Sequence, residues 1–584
     1  MSDNVIVVAV LALLVLSLIR EWVRPVIGFS IALSLLVISG IITSEEAFSG
    51  FSNEVLMTIA ALYIITGAIE QTTGIESLIY KMMGKSKNLR TGLIRMMIPV
   101  SLLSGFVNNT PIVSMMVPQV GKWAASHNMS ASRLLMPLSF ASIFGGILTL
   151  VGTSTNLAVS GLLSEYGLDP FSFFELTVVG LPIAIIGTLL IVWRLPKDLP
   201  ERNSAFDESG KNSRDYIFRA VVEPALAGKT VAEAGLRSRA KSYLFAIDRS
   251  GSVFSPVKPS MKLRVGDVLN FTGQADAVKY VDKTRGLRAA GLEHVDHLSS
   301  QNDLTYHEAI IDNYSPLVGR TLKTTEFRSR YDGAVVAIHR SGERVNDKLG
   351  RVRLKAGDTL LIISDEAFSD RWAHRKDFLA VFPLNIRHTE GDKHGSITIF
   401  VIAAVLLLIF AGAPLPISLI LGASILVALK TITFADAMRS IQFEVLILIG
   451  AAFGVAAAVS ESGVADQIAS IITNNLSAFG PVGVLAGVVL ATILLTELVT
   501  NSAAGLLMLP IAIAAAQSIG VDPRMMAIAV AIAASASFLS PVGYQTNTMV
   551  YGPGGYKFTD YFRLGWLPTA TVIAVILVVV PRLW

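Results

Sequence analysis

The chain has 584 residues, 52% of them hydrophobic and only 16% charged, with a mean hydropathy of +0.59, whereas an ordinary soluble domain carries about 25% charged residues. That balance excludes a soluble globular enzyme and indicates an integral membrane protein. The net charge of +4 fits basic cytoplasmic loops better than nucleic-acid binding, and the lack of cysteine rules out disulfides, thiolate metal sites and cysteine nucleophiles.

Uncharged apolar runs at Asn4 to Ile19, Pro25 to Ile42 and Phe174 to Val192, then at Ser396 to Ala411, Ile417 to Leu429 and Trp566 to Val580, are mostly near the roughly 17–25 residues a spanning helix needs. The first is expected to be a mature span, since no basic region precedes it and no small-residue cleavage site follows before Pro25. The apolar pattern stops near Leu195 and resumes near Ser396, so the middle reads as a soluble insert. Within it, Ala246-Ile247-Asp248-Arg249-Ser250-Gly251 returns as Ala337-Ile338-His339-Arg340-Ser341-Gly342, and Gly266-Asp267 as Gly357-Asp358, 91 residues later. Gly228 and Thr230 return as Gly319 and Thr321. Two small α+β modules are expected at 205–292 and 293–382, between membrane repeats at 1–198 and 394–584.

The membrane parts also repeat. LLSGFVNNTPIVSMMVP (Leu102 to Pro118) lies without gaps on LLTELVTNSAAGLLMLP (Leu494 to Pro510), which puts Asn109 on Asn501. VGTSTN (Val151 to Asn156) lies on VGYQTN (Val542 to Asn547), Asn53-Glu54-Val55 on Phe443-Glu444-Val445, and Leu181-Pro182 on Leu567-Pro568. Arg20, Arg24, Lys81, Lys85, Lys87, Arg90, Arg95, Lys122, Arg133, Arg194 and Lys197 share one side if each half crosses five times; Glu45, Glu46, Glu165 and Asp169 take the other. The basic side and residues 195–394 are therefore expected in the cytoplasm. An odd number of crossings inverts the second half. The fold class is accordingly a polytopic α-helical membrane protein, an inverted repeat of five spans plus a re-entrant hairpin each, with an insert of two small α+β domains. Such repeats carry a midplane site at their interface.

The segments flanking Asn108-Asn109-Thr110 look too short to span, so the triplet is expected at a hairpin tip, with Thr500-Asn501-Ser502 at its mate. GTSTN and GYQTN read as unwound midpoints of spanning helices, whose freed carbonyls, carboxamides and hydroxyls suit sodium, while helix N-termini and hydroxyl donors suit an anion.

These triplets resemble the paired Ser-Asn-Thr motifs of the divalent anion/sodium symporter family, and GTSTN and GYQTN resemble its Gly-Thr-Pro-Pro-Asn loops. The resemblance covers nearly all of both membrane halves. It implies a plasma-membrane homodimer, an elevator-type transport domain, two sodium sites and one anion site. By position, Asn109, Gly152 and Asn156 would bind one sodium ion and Asn501, Gly543 and Asn547 the other. Asn108, Thr110, Thr500 and Ser502, with Thr153 and Thr546, would face the anion. The chain departs from the pattern at Asn108, in the placement of the hydroxyls of Thr500 and Ser502, and in Ser154-Thr155 and Gln545-Thr546 where Pro-Pro pairs are usual. The insert resembles the C-terminal regulatory domain of potassium channel and transporter regulators, which implies sulfate as substrate and a regulatory nucleotide as a ligand for the insert. No organic cofactor is expected.

Competing readings are plain. An isolated Asn-Asn-Thr serves as interhelical glue, but its recurrence beside a second recurring breaker favours a site. Glu497 reads as a ligand, a proton carrier or a structural carboxylate. Glu54 and Glu444 read as helix ends, and His388 and His394 as linker residues. Gly552, Gly554 and Gly555 read as a helix exit, not a phosphate cradle. The leading function is sodium-coupled import of a divalent anion, sulfate first. The alternatives are a di- or tricarboxylate transporter and a proton-coupled or antiporting carrier relying on Glu497. No catalytic triplet points to an enzyme.

Overall fold

The computed structural model describes residues 3–20, 22–70, 83–84, 86, 88–127, 129–199, 201, 217–236, 242–249, 252–254, 257–273, 286–290, 304–312, 314–340, 343–345, 347, 349–365, 367–372, 375–383 and 393–583. Lys81, Lys85, Lys87, Ser250, Gly251, Ser341, Gly342 and His388 lie outside them, as do the boundaries expected at 205 and 292–293.

The first membrane part runs α1 (Asp3–Ile19), α2 (Pro25–Ile38), α3 (Ser44–Ser49), α4 (Glu54–Glu70), α5 (Leu89–Ser104), α6 (Asn109–Ser126), α7 (Ser132–Gly146), α8 (Ser154–Leu163) and α9 (Thr177–Asp198). Local chemistry sets several of these ends. Pro25 opens α2, where its missing N–H costs nothing. The helix stops before Gly40, which takes a φ of +76°. Its 14 residues rise only about 21 Å, so α2 is shorter than the apolar run from which it is built. Thr43 and Glu46 then form a capping box that starts α3.

The insert contains two five-stranded antiparallel sheets. The first has β1 (Ile217–Val222), β2 (Ser242–Arg249), β3 (Ser252–Phe254), β4 (Val268–Gly273) and β5 (Leu287–Ala290), in the order β3-β2-β4-β1-β5. The second has β6 (Leu304–Ile311), β7 (Ala334–Arg340), β8 (Glu343–Arg344), β9 (Thr359–Asp365) and β10 (Phe378–Pro383), in the order β10-β6-β9-β7-β8. Helices α10 (Phe327–Tyr331) and α11 (Phe368–Trp372) accompany it. The repeated sequence signature has a structural cause. Arg249 donates through Nε and Nη2 to both carboxylate oxygens of Asp267, at 2.8 and 2.7 Å. Arg340 holds Asp358 in the same fork, at 2.7 Å on each side. Gly266 and Gly357, with φ of +86° and +75°, make the turns that present those aspartates.

The last part runs α12 (Lys393–Phe410), α13 (Leu415–Ala428), α14 (Phe434–Ser440), α15 (Phe443–Glu461), α16 (Val464–Leu476), α17 (Gly480–Thr496), α18 (Asn501–Ile519), α19 (Pro523–Ala534), α20 (Gln545–Tyr551) and α21 (Phe558–Val579). Among the described residues, six helical segments are long and apolar enough to cross a membrane. Helix packing repeats with the halves exchanged. α5 and α6 pack on α7 as α17 and α18 pack on α19; α2 packs on α15 as α13 packs on α4; α8 packs on α18 as α20 packs on α6. Polar breaks therefore meet the opposite half's tip.

Candidate functional site

Each tip is a turn between two helices, and each break is a non-helical stretch between two others. At the first tip, α5 ends at Ser104 and α6 begins at Asn109. Asn109 is 1% exposed. Its Oδ1 accepts from Ser104 Oγ, and its Nδ2 donates to the Tyr544 hydroxyl of the opposite half. Thr110 Oγ1 donates to Gln545 Oε1 at 3.1 Å. The first break, between α7 and α8, is held by Asn156, whose Nδ2 donates to the carbonyls of Gly146 and Thr149 at 2.9 Å each.

The second half repeats this wiring. Thr496 Oγ1 donates to Asn501 Oδ1 at 2.9 Å, and Asn547 Nδ2 donates to the carbonyls of Ser537 and Ser540 at 3.0 and 3.1 Å. Thr155 Oγ1 lies 3.3 Å from Ser502 Oγ, closing the second tip on the first break.

The tips and breaks surround a cavity of ≈ 360 Å³. Asn108, Thr110, Thr153, Thr500, Asn501, Ser502 and Gly543 line it. Asn109, Asn156 and Asn547 are buried, at 1%, 0% and 0% exposure, and with Gly152 they lie outside its lining. Thr546 is not brought to the cavity: it is fully buried and accepts from Ser139 Oγ at 2.8 Å, and its neighbour Gln545 lines the wall instead. The N-caps of α6 and α18, Asn108 and Thr500, both face the cavity, so two helix N-termini with their unpaired N–H groups open onto it.

At its mouth the cavity is lined by Arg24, Asp312, Tyr314, Lys376 and Glu444. Arg24 Nη1 pairs with Glu444 Oε1 at 2.9 Å, and its guanidinium lies 5.0 Å over the Tyr314 ring. Lys376 Nζ pairs with the same carboxylate oxygen. Burial pushes the Asp312 carboxyl above its ordinary range, an effect opposed by the Tyr314 N–H and by Arg24. Outside the cavity lining, the start of β9 abuts the exit of α20, where Thr359 Oγ1 lies 1.9 Å from the position a Cβ on Gly552 would take. Only glycine allows that approach.

Sequence reasoning missed three parts of this arrangement. Ser104 and Thr496 occupy the same place in the repeat and both bind the tip asparagine; the aligned pair of hydroxyls was the available signal. Tyr544 and Gln545 reach the first tip across 435 residues, which no local pattern announces. Glu444, read as a helix end, is the centre of an ion cluster at the mouth.

A bundle of apolar helices enclosing a polar cavity lined by helix N-termini, hydroxyls and carboxamides has the architecture of a multi-pass membrane transporter. The sequence pattern of the citrate transporter family (CitMHS) matches residues 11–533, and the chain belongs to that family. It is 33% identical over 563 residues to a putative sulfur deprivation response regulator of Chlamydomonas reinhardtii, covering 94% of this chain and 96% of that one. It is equally 33% identical to an uncharacterized transporter of Synechocystis, covering 95% and 93%. Identity to sodium/sulfate cotransporter 1 of Chlamydomonas reinhardtii is 25%, covering 96% and 88%.

Proposed function

We propose that the protein is a sodium-coupled symporter that imports a small divalent anion, sulfate. The observation that carries this reading is the convergence of Asn108, Thr110, Thr500, Asn501 and Ser502 from both tips on one cavity whose hydroxyls, carboxamides and helix N-termini can hold an anion, while the arginine in its lining, Arg24, is paired with Glu444. Relatives named as sodium/sulfate cotransporters support it. Sodium would bind first behind the tips, at Asn109, Gly152 and Asn156 and at Asn501, Gly543 and Asn547, and supply the counter-charge. The anion would then meet Asn108, Thr110, Thr153, Thr500 and Ser502. The mirrored helix contacts support an inverted repeat in which the tips and breaks move as an elevator; the protein would work as a plasma-membrane homodimer with residues 195–394 in the cytoplasm.

The insert is read as two regulatory domains, the second acting as a latch over the mouth through Arg24, Glu444 and Lys376. No nucleotide is assigned to it, because the repeated arginine and aspartate satisfy each other. A second reading, transport of di- or tricarboxylates, is favoured by the family's citrate description.

The test is uptake into proteoliposomes of radiolabelled sulfate, succinate and citrate under a sodium gradient. Sodium-dependent sulfate uptake is expected. Carboxylate uptake without sulfate would establish the second reading, and uptake driven equally by a proton gradient without sodium would overturn sodium coupling.

A further inference from the structure

Gly543 sits in the break between α19 and α20, at a point that three oxygens approach. A Cβ placed on it would lie 2.1 Å from Ser537 Oγ, 3.0 Å from Glu497 Oε2 and 3.1 Å from the Thr496 carbonyl oxygen. Hard cations take such oxygens at about 2.3–2.6 Å, as calcium does. The missing side chain thus lets a carboxylate, a hydroxyl and a carbonyl oxygen converge closely beside Gly543.

Glu497 is divided between two jobs. Its Oε1 accepts from the Leu539 N–H at 2.9 Å and steadies the break. Its Oε2 is shut off from solvent and makes no hydrogen bond of good geometry, although Ser537 and Ser540 are neighbours of the carboxylate. Ser537 Oγ is likewise buried without a hydrogen-bond partner. Among the described residues no basic side chain acts on this carboxylate. A carboxylate oxygen withdrawn from water is costly unless a cation or a donor meets it, and among the described residues only the Ser537 and Ser540 hydroxyls approach this carboxylate, neither bonding Oε2 with good geometry.

The first half lacks this equipment. Gly105 stands where the repeat puts Glu497. A Cβ on Gly152, the mate of Gly543, would come nearest to the backbone of Gly146, with its carbonyl oxygen at 2.6 Å. The unpartnered side-chain oxygen there is Asn156 Oδ1, a neutral amide.

We propose that Glu497 Oε2, Ser537 Oγ and the Thr496 carbonyl oxygen ligate a sodium ion beside Gly543, so that the second half carries an anionic cation site and the first half a neutral one. This rests on the sodium-coupled reading above. Because Glu497 and Gly543 line the cavity, the ion enters by the same route as the anion and neutralises the carboxylate before the anion arrives.

The experiment measures sodium binding apart from transport. Purified full-length protein is titrated with sodium chloride against choline chloride, without substrate anion, and thermal unfolding is followed in wild type, Glu497→Gln and Gly543→Ala. Glutamine keeps the acceptor for Leu539 and removes the charge. Gly543→Ala drives a methyl against the converging oxygens from the backbone side and covers the case in which the first variant does not fold. The expected result is sodium-specific stabilisation of wild type with a component from each half, the second-half component moved to a tenfold or higher half-saturating concentration in Glu497→Gln and lost in Gly543→Ala, with the first-half component kept in both. Unchanged sodium affinity in Glu497→Gln overturns ligation by this carboxylate and leaves sodium coupling standing. No sodium-specific stabilisation of wild type overturns both.

Discussion

The two membrane halves repeat each other in their tips, breaks and helix contacts, yet they differ in where they place carboxylates. Gly105 and Glu497 occupy one position of the repeat, and Glu54 and Glu444 share another. Glu54 is exposed and makes no ion pair among the described residues, while Glu444 is held by Arg24 and Lys376 at the cavity mouth. Duplication supplied a symmetric scaffold of tips and breaks. The membrane-half carboxylates that reach the cavity, Glu444 and Glu497, both belong to the second half, so the halves share geometry and divide the electrostatic work.

The strongest way to separate the halves is to remove each tip asparagine. Asn109 bridges Ser104 and Tyr544 inside the protein, whereas Asn501 lines the cavity and, among the described residues, is held by the Thr496 side chain. Asn109→Ala removes one hydrogen bond from each of two buried hydroxyls, Ser104 keeping the Ser142 carbonyl and Tyr544 keeping Thr153, a loss of about 0.5–1.5 kcal/mol per bond. It is expected to lower thermal stability markedly and to reduce uptake through that loss. Asn501→Ala is expected to keep most of the stability and to raise the sodium concentration for half-maximal uptake about tenfold or more. Thermal unfolding together with sodium-dependent uptake distinguishes the two; unchanged sodium dependence in both would remove the tips from the sodium sites.

Duplication is also what made this part of the molecule legible. The tip triplets and the two breaks stand out in the sequence because each occurs twice at matching positions, and the helix ends at Asn109, Ser154, Asn501 and Gln545 fall where those motifs do. The cross-half bonds did not stand out. Tyr544 and Gln545 contact the first tip because α20 packs on α6, a tertiary fact without a local trace. Glu444 looked idle since its partners come from residue 24 and residue 376, each in a different part of the chain. The repeated insert motif was legible as a repeat, but its reason, an Arg–Asp fork, required the sheet to place Arg249 beside Asp267.

The insert extends the same contrast. Arg219 on β1, in register with Asn270, and Glu308 on β6, in register with Leu361, hold equivalent places in the two sheets. Glu308 is fully buried, neither carboxylate oxygen has a hydrogen-bond partner, and burial pushes it up to about 8. Below pH 4.5 the group is neutral folded and unfolded, so it imposes no penalty. As pH rises from 4.5 toward 8 the unfolded chain ionises and the folded one does not, and stability falls until the loss is complete above the folded value. Glu308→Gln is therefore expected to unfold with wild type near pH 4.5 and several degrees later at pH 8. Hydrogen exchange of β6 across that range checks it; a constant difference at every pH would mean that the carboxyl does not titrate there.

The smallest effect is expected at the mouth, where the contrast between Glu444 and Glu54 can be read in transport rates. Side-chain exposures of 22% for Arg24 and 48% for Glu444 place their ion pair within reach of water and salt, so it contributes only about 0–1 kcal/mol. One kcal/mol corresponds to about fivefold in a rate or equilibrium. If these pairs hold the second sheet over the cavity, weakening them favours the open mouth. Glu444→Gln should raise the initial uptake rate by up to about fivefold at low ionic strength and remove most of its salt dependence. Wild type should quicken with added salt as screening loosens the latch. Glu54→Gln, the same change at the mirrored position, should leave both rate and salt response as they were. A Glu444→Gln variant slower than wild type at every ionic strength would mean that the cluster holds the mouth open, and the second sheet would then act as a brace.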